Sequence, residues 1–272
     1  MRLDLHLHST ASDGQCSPAR VVERAFEARL DVVALADHDT TSGVAEASKA
    51  AAELPIEVIP ALEASSTWDG HDIHVLGYFV EPDAPALVRS AEAARVRREE
   101  RMQEMLDLLE EIGIEIPFEA VRRAAGDEVL SYGRPHLARA LVAEGHAESV
   151  PDAFRLYIGD DGPAFVPTDV QSPAEAVELI RDAGGVAVWA HPPMDRIEGL
   201  LPVLADAGLR GLEAYRPNHS PSQVEALLRW SQRYDLVVTG GSDWHGPDRG
   251  PELGAFWVTP EEVASFLEMS GM

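Results

Sequence analysis

Cysteine is almost missing from this chain. Cys16 is the only one in 272 residues, which excludes intrachain disulfides and thiolate metal clusters. Lysine is as scarce, Lys49 standing alone among 22 basic residues. The rest are arginine, whose planar fork suits bidentate phosphate contacts, although a G+C-rich genome is the simpler cause of the overall excess. No run of 18 apolar residues occurs, and residues 1–20 lack the charged-then-apolar layout of a signal peptide, so a soluble cytoplasmic protein is the expectation. The shortage of positive charge has the widest consequence. A net charge of −25 argues against binding long nucleic acid or an anionic membrane, both of which require a basic face. If the partner is an anion, positive charge must come from bound metal and from particular arginines. With 45% apolar and 25% charged residues, the composition is that of a globular protein with one large domain or two modest ones.

What is present begins at the first residues, MRLDLHLHSTASD. Leu3, Leu5 and Leu7 alternate with Asp4, His6 and His8, the period of a strand with one apolar face. His6 and His8 therefore share a face, roughly 6.6 Å apart along the strand, and Asp13 follows in the next turn. Two imidazoles and a carboxylate so placed suit a divalent metal, although a lone His-x-His is weak evidence. Similar polar ends recur. Val32 to Ala36 is an apolar run ending in Asp37-His38-Asp39, and Glu57 to Leu62 ends at Glu63. Val186 to Ala190 ends in His191-Pro192-Pro193, and Leu236 to Ser242 leads to Asp243-Trp244-His245. Amphipathic helices separate these runs, one opened by Ser17-Pro18, so repeated strand–helix units predict a parallel sheet, closed or open. In such folds reactive groups gather where strands end. His38, Glu63, His191, Asp243 and His245 all sit there. His74 fits less well, because it precedes its apolar run. His71 and His146 read as surface residues. Imidazole and carboxylate without thiolate suit manganese, zinc or iron.

Taken together, His6-x-His8 with Asp13, Asp37-His38-Asp39, Glu63, His74, His191 and Asp243-x-His245 resemble the polymerase-and-histidinol-phosphatase (PHP) family of metal phosphoesterases, over residues 1–80 and 166–250. The resemblance implies an α/β fold, a distorted seven-stranded β/α barrel, with two or three divalent ions at the strand tips. It further implies that His6, His8, Glu63 and Asp243 hold one ion, that Asp13, His38 and His245 hold a second, and that Glu63, His74 and His191 hold a third, with Glu63 bridging. The implied chemistry is attack on phosphorus by a metal-bridging hydroxide. Asp37 and Asp39 flank a ligand and are candidates to orient imidazoles or to cap the next helix.

Residues 91–165 break the alternation and read as helices throughout. The expected organisation is a barrel from 1–90 and 166–272, with 91–165 inserted as a helical cap. Arg95, Arg97, Arg98 and Arg101 read as a solvated helix face. Ser131-Tyr132-Gly133-Arg134-Pro135-His136 places Arg134 and His136 at a helix N-terminus, which favours an anion. His219 lies in the loop Tyr215 to Ser220 beyond a strand end, where it could contact phosphate or act as an acid. Both stretches resemble a PHP subgroup that removes the 3′-phosphate of nucleoside 3′,5′-bisphosphates and, in some members, trims short RNA from its 5′ end. That resemblance implies Arg134, His136 and His219 as phosphate contacts, with Asp13, Arg134 and His219 the catalytic candidates. The expected partner is a small nucleotide or short oligonucleotide. Rival readings are a histidinol-phosphate phosphatase, an amidohydrolase, and a metal-stabilised binding module without activity.

Overall fold

In the computed structural model, which describes residues 1–126, 131–248 and 251–271, seven strands follow one another around a single sheet in chain order. They are β1 (Leu3–Leu7), β2 (Val32–Leu35), β3 (Glu57–Trp68), β4 (His71–Tyr78), β5 (Val186–Trp189), β6 (Gly211–Tyr215) and β7 (Val237–Gly240). The helices are α1 (Pro18–Glu27), α2 (Val44–Ala51), α3 (Pro85–Glu111), α4 (Phe118–Ala125), α5 (Arg134–Ala143), α6 (Val150–Ala153), α7 (Pro173–Asp182), α8 (Ile197–Ala207), α9 (Pro221–Tyr234) and α10 (Ala264–Ser270). A π-helical turn at Phe154–Ile158 prolongs α6. Serine caps start several of the helices around the sheet. Ser17 accepts the N–H of Arg20 at the head of α1, and Ser172 and Ser220 form capping boxes with Glu175 and Gln223 on α7 and α9.

The sheet curls into a nearly closed barrel. Beyond β7 the chain returns to β1: the His8 N–H donates to the Trp244 carbonyl at 2.9 Å and the Asp243 N–H to the His6 carbonyl at 2.9 Å. Leu3 bridges Val258 in the opposite sense. One apolar cluster joins Leu3, Leu5, Ile59, Leu76, Tyr78, Val188 and Phe266. A second packs α7 and α8 on the sheet through Val177, Ile180, Leu200 and Leu204. A third seats α1 and α2 through Val21, Val22 and Ala47. The helices between β4 and β5 carry their own cluster, with Met102, Met105, Leu109, Val121, Leu137 and Leu141.

The expectation of a parallel sheet fails at one strand. β4 runs antiparallel to both β3 and β5, while every other pairing is parallel. The cause is local. β3 and β4 are joined by Asp69-Gly70, both left-handed at φ 50° and 76°, the pair favoured in a tight two-residue hairpin. The reversal places the early part of β4 at the rim where the other strands end, so His74 reaches that rim although it precedes its apolar run. The helical segment also begins earlier than expected, α3 starting at Pro85 rather than near residue 91.

Gly241 passes so close to β1 that a Cβ there would stand 2.6 Å from the His6 backbone nitrogen. Gly241→Ala is expected to push the β1 end aside and destabilise the fold by about 1–3 kcal/mol, the usual cost of overpacking, as read by chemical denaturation.

Candidate metal centre

Burial without hydrogen bonding is the signature of this site. His6 Nε2, both ring nitrogens of His8, His38 Nδ1 and Glu63 Oε2 are buried and make no hydrogen bond. A buried polar atom left this way costs on the order of 1–3 kcal/mol, so the grouping calls for something to bind. These atoms nevertheless crowd together. Glu63 Oε2 stands 3.2 Å from His6 Nε2, 3.3 Å from His8 Nε2 and 3.1 Å from His38 Nδ1. Its other oxygen, Oε1, stands 3.0 Å from His74 Nδ1 and 2.9 Å from His191 Nε2. Asp243 Oδ1 is 3.2 Å from His8 Nε2, and Asp13 Oδ1 is 3.3 Å from His245 Nε2. Ligands about 2.1 Å from a tetrahedral metal are separated by roughly 3.4 Å. The spacing therefore fits atoms that coordinate shared cations.

Three groups could each hold an ion: His6, His8, Glu63 and Asp243; His8, Asp13, His38 and His245; and His38, Glu63 and His74. All nine expected ligand residues meet here, His191 entering through Glu63 and through His74, whose Nδ1 lies 3.4 Å from its Nε2. Charge in the cluster is strained. Burial disfavours the Glu63 carboxylate, yet His6, His38, His74 and His191 hold it well below the usual carboxylate range. Burial likewise opposes charge on His8, but Asp243 and Glu63 beside it raise the ring to about 9. His38 goes the other way, its burial outweighing Glu63 and Asp13. Without cations, the acids draw protons onto part of the imidazole set, and protons and metal compete for the same nitrogens.

A second layer of residues aims the first, and the sequence did not reveal its centre. Glu213, on β6 and without exposed surface, accepts from His6 Nδ1 at 2.8 Å and from the His191 backbone N–H at 2.8 Å. It thereby leaves His6 Nε2 facing the cluster. Arg216 ties Glu213 to Asp243, at 3.5 and 2.8 Å, and these two carboxylates raise its already high pKa despite its burial. The only hint was an acid at an alternate position of a short apolar strand. Asp37 orients no imidazole. It accepts the Ser9 N–H, the Ser9 hydroxyl and the Ser12 hydroxyl, each at 2.7 Å, and so pins the turn carrying Asp13 to the end of β2. Asp39 caps no helix, since Gly43 occupies that place on α2. It takes the Ser65 N–H at 2.6 Å and two N–H groups of Arg98 at 2.9 and 2.7 Å. Asp39, His191 and Asp243 all hold left-handed backbones, φ 58°, 33° and 56°, a cost retained where the surroundings fix a site.

Arginines form the facing wall of a cavity of about 220 Å³ over the cluster. Arg98 and Arg101 on α3 are not a solvated face, being only 6% and 4% exposed. They continue the apolar stripe of Ala94, Met102 and Met105, and that misplaced charge on a buried face was the legible sign. Arg95 and Arg97 do lie outward in ion pairs with glutamates. Arg101 pairs with Asp72 at 2.9 Å, and Arg134 pairs with Asp160 at 2.7 Å and Asp72 at 3.4 Å. His136 is fully buried, behind the wall rather than lining it, and its Nδ1 accepts the Gly133 N–H at 2.9 Å. His219 sits half-buried on the β6–α9 loop, its Nδ1 bonded to the Ala214 carbonyl at 2.8 Å, and it does not line this cavity. His71 is bonded to the Asp69 carbonyl at the hairpin, and neither it nor His146 joins any of the three groups.

Residues 4–159 match the PHP domain. The chain is 36% identical over 93% of its length to a 5′-3′ exoribonuclease of Haemophilus influenzae, covering 93% of that protein. It is 37% identical over 91% of its length to a 3′,5′-nucleoside bisphosphate phosphatase of Chromobacterium violaceum, covering 88% of it. A solved structure from Chromobacterium violaceum, described as an amidohydrolase with bound sulfate, superimposes with a TM-score of 0.87 at 34% identity, over 95% of this chain and 92% of that one.

Glu213→Gln keeps an acceptor for the His191 N–H but removes the charge that fixes the His6 ring. Metal affinity is expected to fall roughly 10- to 100-fold, measured by titration against a competing chelator, with the circular dichroism spectrum unchanged.

Proposed function

This chain belongs to the PHP domain family of metal-dependent phosphoesterases, and on that premise we propose that it removes the 3′-phosphate from nucleoside 3′,5′-bisphosphates and trims short RNA from the 5′ end at the same site. The observation that carries this reading is the opposition of two surfaces around one small cavity. Nine imidazole and carboxylate side chains converge on one side, and three buried or half-buried arginines stand on the other. Curated relatives similar over most of their length are named for these two activities. The Chromobacterium violaceum structure holds sulfate, a tetrahedral dianion shaped like phosphate.

In this assignment His6, His8, Glu63 and Asp243 would hold one ion, Asp13, His38 and His245 a second, and Glu63, His74 and His191 a third, a donor set that suits manganese, zinc or iron. Bound ions would supply Lewis-acid charge to phosphoryl oxygens and acidify water at neutral pH. The chain's own residues do the rest. Arg98 and Arg101 spend Nε and Nη2 on Asp39, Ser65, Asp72 and Val166, which fixes each guanidinium and leaves Nη1 for phosphate oxygens. Fixed donors of this kind favour the charge that develops on the equatorial oxygens, because nothing has to reorganise during the reaction. Arg134 contacts phosphate from the head of α5, and His136 acts on it indirectly by holding the Gly133 turn. His219 is assigned to the rim as proton donor to the leaving oxygen, its ring oriented through the Ala214 carbonyl. The net charge of −25 favours short substrates, since a long polyanion is repelled by an acidic molecule while a short one reaches the arginine wall.

The test is inorganic phosphate release from adenosine 3′,5′-bisphosphate with manganese. Release is expected from the wild type and at least hundredfold less from His8→Ala, whose imidazole lies in the cluster with His6, Glu63 and Asp243 and within reach of Asp13, His38 and His245. Equal release by both proteins overturns the reading. Arg134→Ala is expected to raise KM about tenfold, the loss of one charge-assisted contact, read from initial rates.

A further inference from the structure

Strict alternation along β1 would keep Leu3, Leu5 and Leu7 on one face and turn His6 and His8 to the other. The strand does not alternate strictly. Its neighbour β2 shows which side is which: Val32 and Ala34 pack in the cluster with Ile59 and Val188, while Val33 and Leu35 pack with Val21 and Val22 of α1. Leu3 and Leu5 join the first cluster, but Leu7 joins the second. The pairing of the two strands locates the change. Leu3 stands against Val32 and Asp4 against Val33, yet Leu7 stands against Leu35, so that three steps on β1 match two on β2. A bulge of this kind adds one residue and re-aims the side chains beyond it. Here it carries His6 and His8 to the side of Leu3 and Leu5, where they meet Glu63 at 3.2 and 3.3 Å. A strand without it would send both imidazoles to the helix side.

One side chain sits at the irregular step. Asp4 has no exposed surface and, opposite Val33, lies on the helix side of the sheet. Burying a carboxylate is costly, and an apolar residue would fill this strand position at less cost. What the acid adds is an acceptor. Its Oδ1 takes the Ser242 N–H at 2.8 Å and, more weakly, the His6 N–H at 3.4 Å. The next amide along, that of Asp243, donates to the His6 carbonyl at 2.9 Å. Two successive N–H groups beyond β7 are thus secured to the bulge, one through the Asp4 side chain and one through the His6 backbone. Both bonds help to hold the left-handed turn at Asp243, φ 56°. Asp4 therefore links the residue that presents His6 Nε2 to the turn that presents Asp243 Oδ1, atoms that stand 3.6 Å apart.

We propose that Asp4 is a positioning residue of the metal centre: its carboxylate fixes the bulge that turns His6 and His8 inward and locks that bulge to the turn bearing Asp243. Asp4 itself belongs to none of the three ligand groups. The inference rests on the metal-binding part of the proposed function and is independent of which phosphate ester is cleaved.

The experiment measures manganese affinity, by titration against a competing chelator, for the wild type, Asp4→Asn, Asp4→Leu, Asp4→Ala and the control Val33→Ala. Asp4→Asn keeps an acceptor at Oδ1 and is expected to bind nearly as well as the wild type. Asp4→Leu keeps the volume, Asp4→Ala does not, and both lose the acceptor; each is expected to bind roughly tenfold more weakly or worse. Val33→Ala opens a gap beside Asp4 without touching its oxygens. It is expected to lose stability in urea and keep its affinity, which separates positioning from general loosening. If Asp4→Ala does not fold, Asp4→Asn and Asp4→Leu carry the comparison. In the metal-free proteins the Ser242 amide is expected to exchange roughly tenfold faster in Asp4→Leu than in Asp4→Asn, the loss of about one hydrogen bond. Wild-type affinity in Asp4→Leu overturns the role of Asp4, as does an equal loss in Asp4→Asn or in Val33→Ala. If the affinities follow the expected order but no protein releases phosphate from adenosine 3′,5′-bisphosphate, the proposed function fails while the role of Asp4 stands.

Discussion

A carboxylate with no exposed surface cannot stay ionised inside a protein unless positive charge lies against it. Glu63 is that group here, and five imidazoles press on its two oxygens. The arrangement suits cations, because His6, His8 and His38 face the carboxylate through ring nitrogens that make no hydrogen bond. Other features near the rim serve to make the convergence possible. The reversed strand β4 delivers His74, the closure of β1 on the chain after β7 delivers Asp243 and His245, and the left-handed turns at Asp39, His191 and Asp243 let the chain bend where the strands end.

The sequence marked the candidate ligands plainly and their support poorly. Of the candidate ligands, His38, Glu63, His191, Asp243 and His245 were marked by a change from an apolar run to a polar residue, and His6 and His8 by alternation with leucines, both visible without any knowledge of contacts. Glu213 and Asp37 resemble their neighbours in type, and their partners lie 207 and 28 residues away. Nothing local distinguishes a carboxylate that orients an imidazole from one that pins a turn or faces water. The direction of β4 was recoverable from Asp69-Gly70, a hairpin pair that strand–helix alternation overshadowed. Arg98 and Arg101 were legible in principle as well, since they fall on the apolar stripe of their helix. Treating four nearby arginines as one solvated face hid the difference between a pair that looks outward and a pair that looks in.

The acidic character of the whole molecule and the basic wall of its cavity belong together. With a net charge of −25, a polyanion meets repulsion over most of the surface. The arginines that matter are removed from that surface and held by acids: Arg98 by Asp39, Arg101 by Asp72, Arg134 by Asp72 and Asp160. Each pairing fixes geometry at the expense of part of the charge. The helices that supply these arginines have an apolar core of their own, so their position over the cluster is set by ion pairs with the barrel as well as by packing.

The donors that would share ions come from opposite margins of the sheet. His6 lies in the first strand and His8 just past its end, whereas Asp243 and His245 follow the last, and backbone bonds such as His8 to Trp244 knit the two margins together. A cation coordinated from both sides is a rivet through the seam of a rolled sheet. Occupancy would then limit how far the cylinder breathes, and amide exchange along its opening strand would gauge loading without any substrate.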